Sequence, residues 1–260
     1  MTTVLGVSSA PRLPAPERRR LTGNRFVDAL PRDAAEQIGR LANLRVYSEG
    51  TVLGVAGGPI TEVCFPIAGT ISHLEDMSDG ESLEVVSVGC DGVSQFEIVL
   101  GEPTAQYRRL APVPVSAFVL SAPAMLDLAA RWPEVRALAA RYAVSVMRAA
   151  GLAGACARHD RIEPRLAAWL LGVFDYAQTP ALSITHDRIA ALLGVRRAGI
   201  TDAFAALTRA GAVRVARHHI TIADVAALER SACACRSEAR AALEAAYDAG
   251  RPRLERARHA

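Results

Sequence analysis

A chain of 260 residues can hold two domains of ordinary size, and its 51% apolar and 22% charged residues exclude a wholly disordered protein. No apolar run approaches the roughly 18 residues that a membrane span needs, and the first residues lack the apolar stretch of a secretion signal, so we expect a cytoplasmic protein without membrane contact. The net charge of +3 is unevenly spread, because ten carboxylates and no Lys or Arg lie between Val46 and Tyr107. The remainder therefore holds 30 arginines against 17 carboxylates, a balance of +13.

The N-terminal residues are the least regular part of the sequence. Residues 1–24 contain three prolines and a run of three arginines but little apolar periodicity, so we expect a flexible basic arm. A solvated tail is a simpler interpretation of this arm than contact with nucleic acid. A short helix is predicted around residues 33–44, where Ile38, Leu41 and Leu44 recur at helical spacing.

Short β-rich runs separated by Gly, Pro and Asp replace the helical spacing after Arg45. These runs cover residues 61–67, 69–74, 83–88 and 115–120. Many short strands in succession are typical of a β-barrel or jelly roll, and we assign residues 25–122 to this domain.

Helical spacing returns over residues 123–158, and the pattern predicts one helix of roughly 25 residues that begins at Pro133. Apolar and small side chains recur along it at steps of three or four, namely Val135, Leu138, Tyr142, Val146, Ala149 and Ala153. A long helix with a partly alanine-lined face suits packing against another helix, so we expect these residues to form the interface of a homodimer. The alternative is that the same face packs on the barrel of its own chain.

A helix-turn-helix is predicted over residues 182–210. Thr185 is a suitable N-cap, and Gly194 permits a tight turn into a second helix from residue 196 to about residue 210. The inward face of the first helix would be formed by Ile189, Ala190 and Leu193. Residues left exposed near the start of the second helix are Arg196, Arg197, Thr201 and Asp202. The N-terminal part of such a helix enters the major groove of DNA.

Two short strands joined by a basic tip follow the second helix. Residues 213–222 have the pattern of a β-wing, with Arg217, His218 and His219 at its tip, which suits contact with DNA phosphates. We therefore assign residues 159–236 to a winged helix-turn-helix domain and residues 237–260 to a helical tail. The expected DNA-binding residues are Thr185, Arg196, Arg197, Thr201, Asp202, Arg217 and His218.

This arrangement resembles the Crp/Fnr superfamily of bacterial transcription regulators over about residues 25–236. The resemblance is carried by Thr185-His186-Asp187, Ile189-Ala190, Leu193-Gly194-Val195, Arg197, Leu207 and Gly211-Ala212-Val213. It implies an α+β fold: an N-terminal cyclic-nucleotide-binding-type β-jelly roll that acts as a sensor, a long dimerisation helix and a C-terminal winged helix-turn-helix. It also implies a regulator that binds palindromic double-stranded DNA as a homodimer and that contacts RNA polymerase if it is an activator.

The side chains with which this superfamily binds cyclic AMP are missing. A Glu for the ribose and an Arg-Ser/Thr pair for the cyclic phosphate are replaced at the matching positions by Val93, Ala105 and Gln106. A partly buried anion needs compensating charge or N–H donors, and no basic side chain precedes Arg108 in this region. We expect no response to cyclic AMP and no cofactor, with the effector unidentified. Arg108 and Arg109 would restore the charge if the alignment slips by three or four residues; otherwise they lie at a solvated strand end.

Five cysteines, an odd and scattered set, favour reduced thiols over a disulfide framework. The Fnr branch binds an iron–sulfur cluster through cysteines near its N-terminus, whereas the first cysteine here is Cys64, so a cluster of that type is not expected. Cys233 and Cys235 would need Cys156 or a histidine to hold a metal, or would act as a thiol switch, but two ligands one residue apart do not make a site. We expect no metal site.

The second helix of the helix-turn-helix departs from the cyclic-AMP-responsive regulators. Ala198 and Asp202 stand where those proteins present Glu and a second Arg, so the DNA target should differ. Arg197 matches the family's groove-reading arginine and is expected to contact a guanine, with Arg196 on a base or a phosphate. Gly199 is unfavourable inside a helix, and close approach to DNA and plain drift explain it equally well.

Enzymes form the first rival class. The sequence has no Gly-rich phosphate loop, no nucleophile elbow and no paired metal-binding histidines, and His73 among acidic residues fits a polar turn, so we do not expect an enzyme. The stronger alternative is a sensory or partner-binding protein whose degenerate helix-turn-helix survives only as structure.

Overall fold

Two antiparallel sheets form a β-jelly roll in the N-terminal part of the chain. The computed structural model describes residues 23–78, 80–177, 179, 181–216 and 219–249. Helices α1 (Arg25–Asp28) and α2 (Arg32–Leu41) precede the strands. The strands are β1 (Asn43–Tyr47), β2 (Val52–Gly54), β3 (Glu62–Ala68), β4 (Ile71–Asp76), β5 (Ser82–Val88), β6 (Arg108–Leu110) and β7 (Val115–Ser121), with a 3-10 helix (Phe96–Leu100) between β5 and β6. One sheet has the order β1-β7-β3 and the other the order β2-β6-β4-β5.

The jelly roll confirms the predicted fold class. Val115, Ala117 and Val119 of β7 are buried, as alternation along a strand predicts. Three strands, β1, β2 and β6, were not predicted because they are short and carry no continuous apolar run. The predicted helix at residues 33–44 is too long: the backbone becomes extended at Ala42, and Leu44 lies exposed in β1.

Two helices connect the jelly roll to the rest of the chain. Helix α3 (Ala122–Arg131) begins at Ser121, whose hydroxyl accepts a hydrogen bond from the Ala124 N–H, 3.4 Å away. Helix α4 (Pro133–His159) has 27 residues, close to the predicted length. Proline supplies its first residue, a position where the missing N–H costs nothing.

The C-terminal part is a winged helix-turn-helix, as predicted. Its elements are α5 (Ile162–Ala177), β8 (Leu182–Ser183), α6 (His186–Leu193), α7 (Arg197–Arg209), β9 (Val213–Ala216), β10 (His219–Ile222) and α8 (Val225–Ser231). The three strands form a small sheet of order β8-β10-β9. The core of this part is built from Leu166 and Leu170 of α5, Ile189 of α6, and Ile200 and Leu207 of α7.

A last helix, α9 (Cys235–Asp248), lies along α4. Arg148 pairs with Glu238 at 2.8 Å, and the Arg141 Nε–H donates to the Ala246 carbonyl at 3.0 Å. Among the described residues, no helix is both long and apolar enough to cross a membrane.

Candidate nucleic-acid interface

The turn between α6 and α7 is held by backbone bonds and one capping side chain. The Thr185 hydroxyl accepts a hydrogen bond from the Arg188 N–H at 3.2 Å, so Thr185 is the N-cap of α6. Gly194 has a φ of 60°, and the Val195 N–H donates to the Ala190 carbonyl at 3.0 Å. Only glycine adopts this conformation without strain, so the sharp turn into α7 depends on Gly194.

Helix α7 separates an inward apolar face from an outward polar one. Ile200, Ala203, Phe204 and Leu207 are buried. The four side chains predicted to face DNA, Arg196, Arg197, Thr201 and Asp202, are all exposed on one side of its N-terminal half. These four residues therefore lie exposed around the start of α7, as the sequence predicted.

Side chains of α6 orient those of α7. Arg197 Nε lies 3.3 Å from an oxygen of Asp187, and both side chains are exposed. His186 stacks on the Phe204 ring with centroids 4.7 Å apart, and its Nδ1 lies 3.2 Å from the Thr201 hydroxyl. Sequence reasoning missed these roles of His186 and Asp187, since each depends on the angle between two helices.

The structure gives a different reason for Gly199. A Cβ at this position would lie 2.4 Å from Cδ1 of Ile162 in α5. Gly199 thus lies where α7 packs closely on the end of the Ile162 side chain in α5.

The wing is present as β9 and β10, which pair antiparallel from His219 opposite Ala216 to Ile222 opposite Val213. Arg214 is exposed on β9 and adds a basic side chain that the sequence did not single out. The two predicted tip residues, Arg217 and His218, lie outside the described residues.

The positions matched to the cyclic-AMP ligands of the superfamily cannot supply the missing groups. Val93 and Ala105 are buried apolar residues, and Gln106 is exposed with its amide directed to the Thr104 carbonyl. None of these three side chains carries a charge.

Arg108 and Arg109 have separate partners. Arg108, the first residue of β6, binds Asp76, the last residue of β4, at 2.6 Å. Arg109 is buried, contrary to the expectation of a solvated strand end, and donates to the Leu53 carbonyl at 2.9 Å. A Cβ on Gly54 would lie 1.9 Å from Nη2 of Arg109, so this guanidinium fills the space that a side chain would take there. Burial lowers the pKa of Arg109.

His73 is buried in β4, which corrects its interpretation as part of a polar turn. Its Nε2 lies 2.8 Å from the Ser94 hydroxyl. Desolvation, together with the charge of Arg109, lowers the pKa of His73 to about 3, so the imidazole is neutral at physiological pH.

The predicted dimer residues of α4 do not all face outward. Val135, Leu138 and Tyr142 are buried in the core of their own protomer, where Tyr142 packs edge-on against Phe26 and Phe96 with centroids 5.8 and 4.9 Å away. The other three, Val146, Ala149 and Ala153, line a cavity between α4, α5, α9 and β5. The predicted dimer face of α4 thus lies against its own chain, which was the alternative interpretation of this row of residues.

The expectation of five reduced thiols is corrected at the C-terminal pair, because a disulfide joins Cys233 and Cys235. Cys64, Cys90 and Cys156 are thiols.

Comparisons with known proteins agree with this architecture. Residues 164–231 match the family model of the Crp-like helix-turn-helix domain. No curated protein sequence matches the chain at a significant level. FixK2 from Bradyrhizobium japonicum has a similar structure, with a TM-score of 0.63 at 15% identity over 74% of this chain and 98% of that one.

Two further solved structures are similar. A CRP-family transcriptional regulator from Thermus thermophilus has a TM-score of 0.58 at 21% identity, over 72% of this chain and 96% of that one. The c-di-GMP responsive global regulator CLP from Xanthomonas campestris has a TM-score of 0.56 at 13% identity, over 75% of this chain and 100% of that one. The similar structures confirm the predicted Crp/Fnr-type fold, and the family model identifies residues 164–231 as a Crp-like helix-turn-helix domain.

Proposed function

We propose that this chain, whose residues 164–231 form a Crp-like helix-turn-helix domain, is a transcription regulator that binds a palindromic DNA operator as a homodimer and does not respond to cyclic AMP. The observation that carries the proposal is the exposed N-terminal half of α7, where Arg196 and Arg197 stand beside Thr201. Arg197 is proposed to contact a guanine, and Arg196 a base or a phosphate. Arg214 and the basic tip at Arg217 and His218 would contact the phosphates of the flanking DNA.

The dimer is proposed to form through the outward face of α4. Seven residues there follow strict steps of three and four, the heptad spacing of paired helices: Ala137, Ala140, Val144, Met147, Gly151, Gly154 and Arg158. Val144 and Met147 are 66% and 73% exposed, although apolar side chains gain by being covered. A Cβ at Gly151 or Gly154 would meet no atom within 4 Å, which leaves room for a second helix to approach closely.

This dimer would present two α7 helices to one face of DNA. For two such helices to enter successive major grooves, their separation must be close to one turn of DNA, roughly 34 Å. A signal that changes the pitch of the paired α4 helices would change that separation and so the affinity for the operator. The cytoplasm is the proposed location, and RNA polymerase is a proposed partner if the protein is an activator.

A second candidate function, partner binding with a degenerate helix-turn-helix, is favoured by one observation. Two carboxylates, Asp187 and Asp202, lie exposed beside the basic residues of the proposed DNA surface, and phosphates repel them. In the operator-reading model Asp187 instead holds Arg197 in position, and Asp202 accepts from a cytosine or orients an arginine.

Selection of binding sites from random duplex DNA, with purified protein and no added nucleotide, tests the proposal. We expect the selection to enrich a palindromic sequence with half-sites about one turn apart. Its affinity should fall steeply as the salt concentration rises, because phosphate contacts release counterions. Failure to enrich any motif, with and without cyclic nucleotides, would favour the partner-binding function. A palindrome that is enriched only with cyclic AMP would contradict the proposed independence from this nucleotide.

A further inference from the structure

Three cysteines from different parts of the chain meet at the junction between α4 and the C-terminal domain. Cys156 lies in the last turn of α4, Cys233 precedes α9, and Cys235 is the first residue of α9. Their sulfur atoms all lie within 4.8 Å of one another. The sequence left Cys156 or a histidine open as the third ligand beside Cys233 and Cys235, and the fold supplies Cys156.

The backbone around these cysteines is held in place. The Cys233 N–H donates to the Pro164 carbonyl of α5 at 3.2 Å, and the Ser237 hydroxyl donates to the Ala234 carbonyl at 2.8 Å. Zinc–thiolate bonds are about 2.3 Å long, which places two thiolates on one ion about 3.8 Å apart. Once the Cys233–Cys235 disulfide is reduced, three sulfur atoms that lie within 4.8 Å reach one ion through small side-chain rotations.

The cluster is accessible from a cavity of about 280 Å³ whose walls are largely apolar. All three cysteines line this cavity, and so do Arg165 and Arg236. Three thiolates with one divalent cation carry a net charge of −1, which the Arg165 guanidinium stabilises, whereas Arg236 is already paired with Asp175. The cavity supplies the entry path that a metal site needs.

We propose that Cys156, Cys233 and Cys235 form a three-thiolate site for one thiophilic cation of the zinc and arsenite class. The Cys233–Cys235 disulfide is the oxidised form of this site. An added dithiol donates two electrons and two protons to the disulfide, which becomes two thiols while the dithiol is oxidised to a disulfide. When Zn²⁺ binds, each of the three thiols transfers its proton to the buffer as its sulfur binds the ion. When arsenite binds as As(OH)₃, three As–O bonds break as three As–S bonds form, and each hydroxide leaves as water with the proton of one thiol. This assignment revises the sequence-based expectation of no metal site.

A bound cation would join the proposed dimer helix α4 to the DNA-binding domain, two parts that the proposed function requires to move together. It would tie the C-terminal end of α4, the proposed dimer helix, to the segment between α8 and α9 and, through Cys233, to Pro164 at the start of α5. The cation would thereby set the orientation of the DNA-binding domain relative to the dimer helix. This regulatory step rests on the proposed function, whereas the cation site itself does not.

The site is tested by titrating the full-length reduced protein anaerobically with Co²⁺ alone, and then with Zn²⁺ and with arsenite in separate experiments. We expect one Co²⁺ per chain, with the charge-transfer absorption of cobalt–thiolate bonds, and displacement of Co²⁺ by Zn²⁺. Each of Cys156→Ser, Cys233→Ser and Cys235→Ser should weaken binding by more than the roughly 10–100-fold that loss of an outer-shell partner costs. Cys90→Ser is the matched control, since Cys90 lies outside the cluster, and it should bind as the wild type does.

Alkylation of the wild-type protein gives a readout that does not depend on whether the variants fold. With Zn²⁺ or arsenite bound, mass spectrometry should show Cys156, Cys233 and Cys235 protected, and Cys90 labelled to the same extent as without the cation. Protection by arsenite and not by Zn²⁺ would assign the site to trivalent arsenic. No binding to the reduced protein, or equal binding by wild type and all three variants, would overturn the site.

DNA binding is measured separately, on a random duplex if selection yields no operator. A cation that binds with one-per-chain stoichiometry and changes operator affinity at least about fivefold, the low end of ordinary allosteric coupling, supports both the site and the regulatory step. Binding of the cation without a change in operator affinity would overturn the regulatory step and leave the site intact. Absence of DNA binding under all conditions would overturn the proposed function and not the cation site.

Discussion

Arg197 is the residue on which the proposed reading of DNA most depends. It stands exposed at the first position of α7, and its Nε lies 3.3 Å from Asp187. A bidentate contact of an arginine with guanine discriminates against other bases by about 1–3 kcal/mol. Arg197→Ala should therefore weaken operator binding by about 5- to 150-fold, as measured by fluorescence anisotropy with the selected duplex.

Arg209 provides the matched control for this prediction. It is an exposed arginine in the last turn of the same helix, far from the N-terminal half that would enter the groove. Arg209→Ala removes the same charge and should change the affinity for the operator much less. Equal losses in the two variants would show that the charge of α7 matters and the position of Arg197 does not.

His73 makes the stability of the jelly roll dependent on pH. Burial lowers its pKa from 6.5 to about 3, so the unfolded chain takes up this proton first. The contribution is fully present above pH 6.5 and is lost as the pH falls toward 3. Between pH 7 and pH 4 this single group should lower the free energy of unfolding by about 3 kcal/mol.

The variant that tests this is His73→Gln, which keeps a hydrogen-bonding amide for Ser94 and takes up no proton. Chemical denaturation between pH 4 and pH 8 should show a flatter dependence of the free energy of unfolding on pH for this variant than for the wild type.

Glu84 acts in the opposite sense, because burial raises the pKa of its carboxyl from 4.5 to about 7. Its contribution to the free energy of unfolding is lost as the pH rises through 7. Glu84→Gln should therefore steepen the loss of stability on the acid side; identical profiles for wild type and His73→Gln would contradict the role of His73.

Among single residues, the sequence predicted those whose role depends on neighbours in the chain and missed those whose role depends on the packing of distant elements. Thr185 and Gly194 could be assigned because an N-cap and a left-handed turn follow from neighbours in the chain. The burial of Arg109 inside the barrel and the contact of Gly199 with Ile162 could not, since both depend on which elements pack together.

Helix α4 shows the corresponding limit for an element. Its length and its first residue were predicted closely, because periodicity and Pro133 mark them in the sequence. Two apolar stripes run along it at the same spacing, however, and periodicity alone does not say which one faces its own barrel. Tyr142 settles the question in the structure, since its buried ring lies between Phe26 and Phe96.

The exposed stripe on α4 can be tested by introducing a charge. Met147→Glu places a carboxylate at a position that is 73% exposed in the monomer and buried in the proposed dimer, where it would face its symmetry mate. Sedimentation equilibrium should show a dimeric wild type and a dimer dissociation constant at least about tenfold higher for the variant, since a buried unpaired charge costs more than about 1.4 kcal/mol.

Val46→Glu is the control for this substitution. Val46 lies in β1, away from α4, and is 72% exposed, so the two variants introduce the same charge at equally accessible apolar positions. It should remain dimeric. A monomeric wild type, or a dimer that both variants leave intact, would contradict the proposed interface.

At the scale of the whole molecule, one ion pair and several apolar contacts join the barrel to the C-terminal domain. Glu49 of the barrel pairs with Arg188 of α6, and Leu83 of β5 lies against Gly194, where a Cβ would come within 2.9 Å of its side chain. Leu74 and Val113 of the barrel belong to the same apolar core as α5 and α7. The uneven charge was visible in the sequence, but the ion pair between Glu49 and Arg188 was not, because these two residues are more than a hundred residues apart.

Tyr176 is the most direct test of this coupling between domains. From the end of α5 its hydroxyl donates to the carboxylate of Asp91, its carbonyl accepts from the Gly69 N–H at 2.7 Å, and its ring occupies the space above Gly89. Tyr176→Phe leaves the ring in place and removes only the donor to Asp91, whose pKa is raised by burial. Loss of a donor to a buried acceptor costs about 1–3 kcal/mol, so the free energy of unfolding should fall by this amount.

Because Tyr176 connects two domains, removal of its hydroxyl should destabilise the structure locally in both domains. In Tyr176→Phe, amide hydrogen exchange should become faster both in the barrel loop around Gly89 and Asp91 and in the last turn of α5. Exchange in the distant strand β1 should stay as slow as in the wild type. Tyr107→Phe, which removes a hydroxyl from a barrel tyrosine that packs near His73, should leave α5 unchanged. If Tyr176→Phe accelerates exchange only in α5, the barrel does not sense the position of the DNA-binding domain through this contact, and a signal must pass between them by another route.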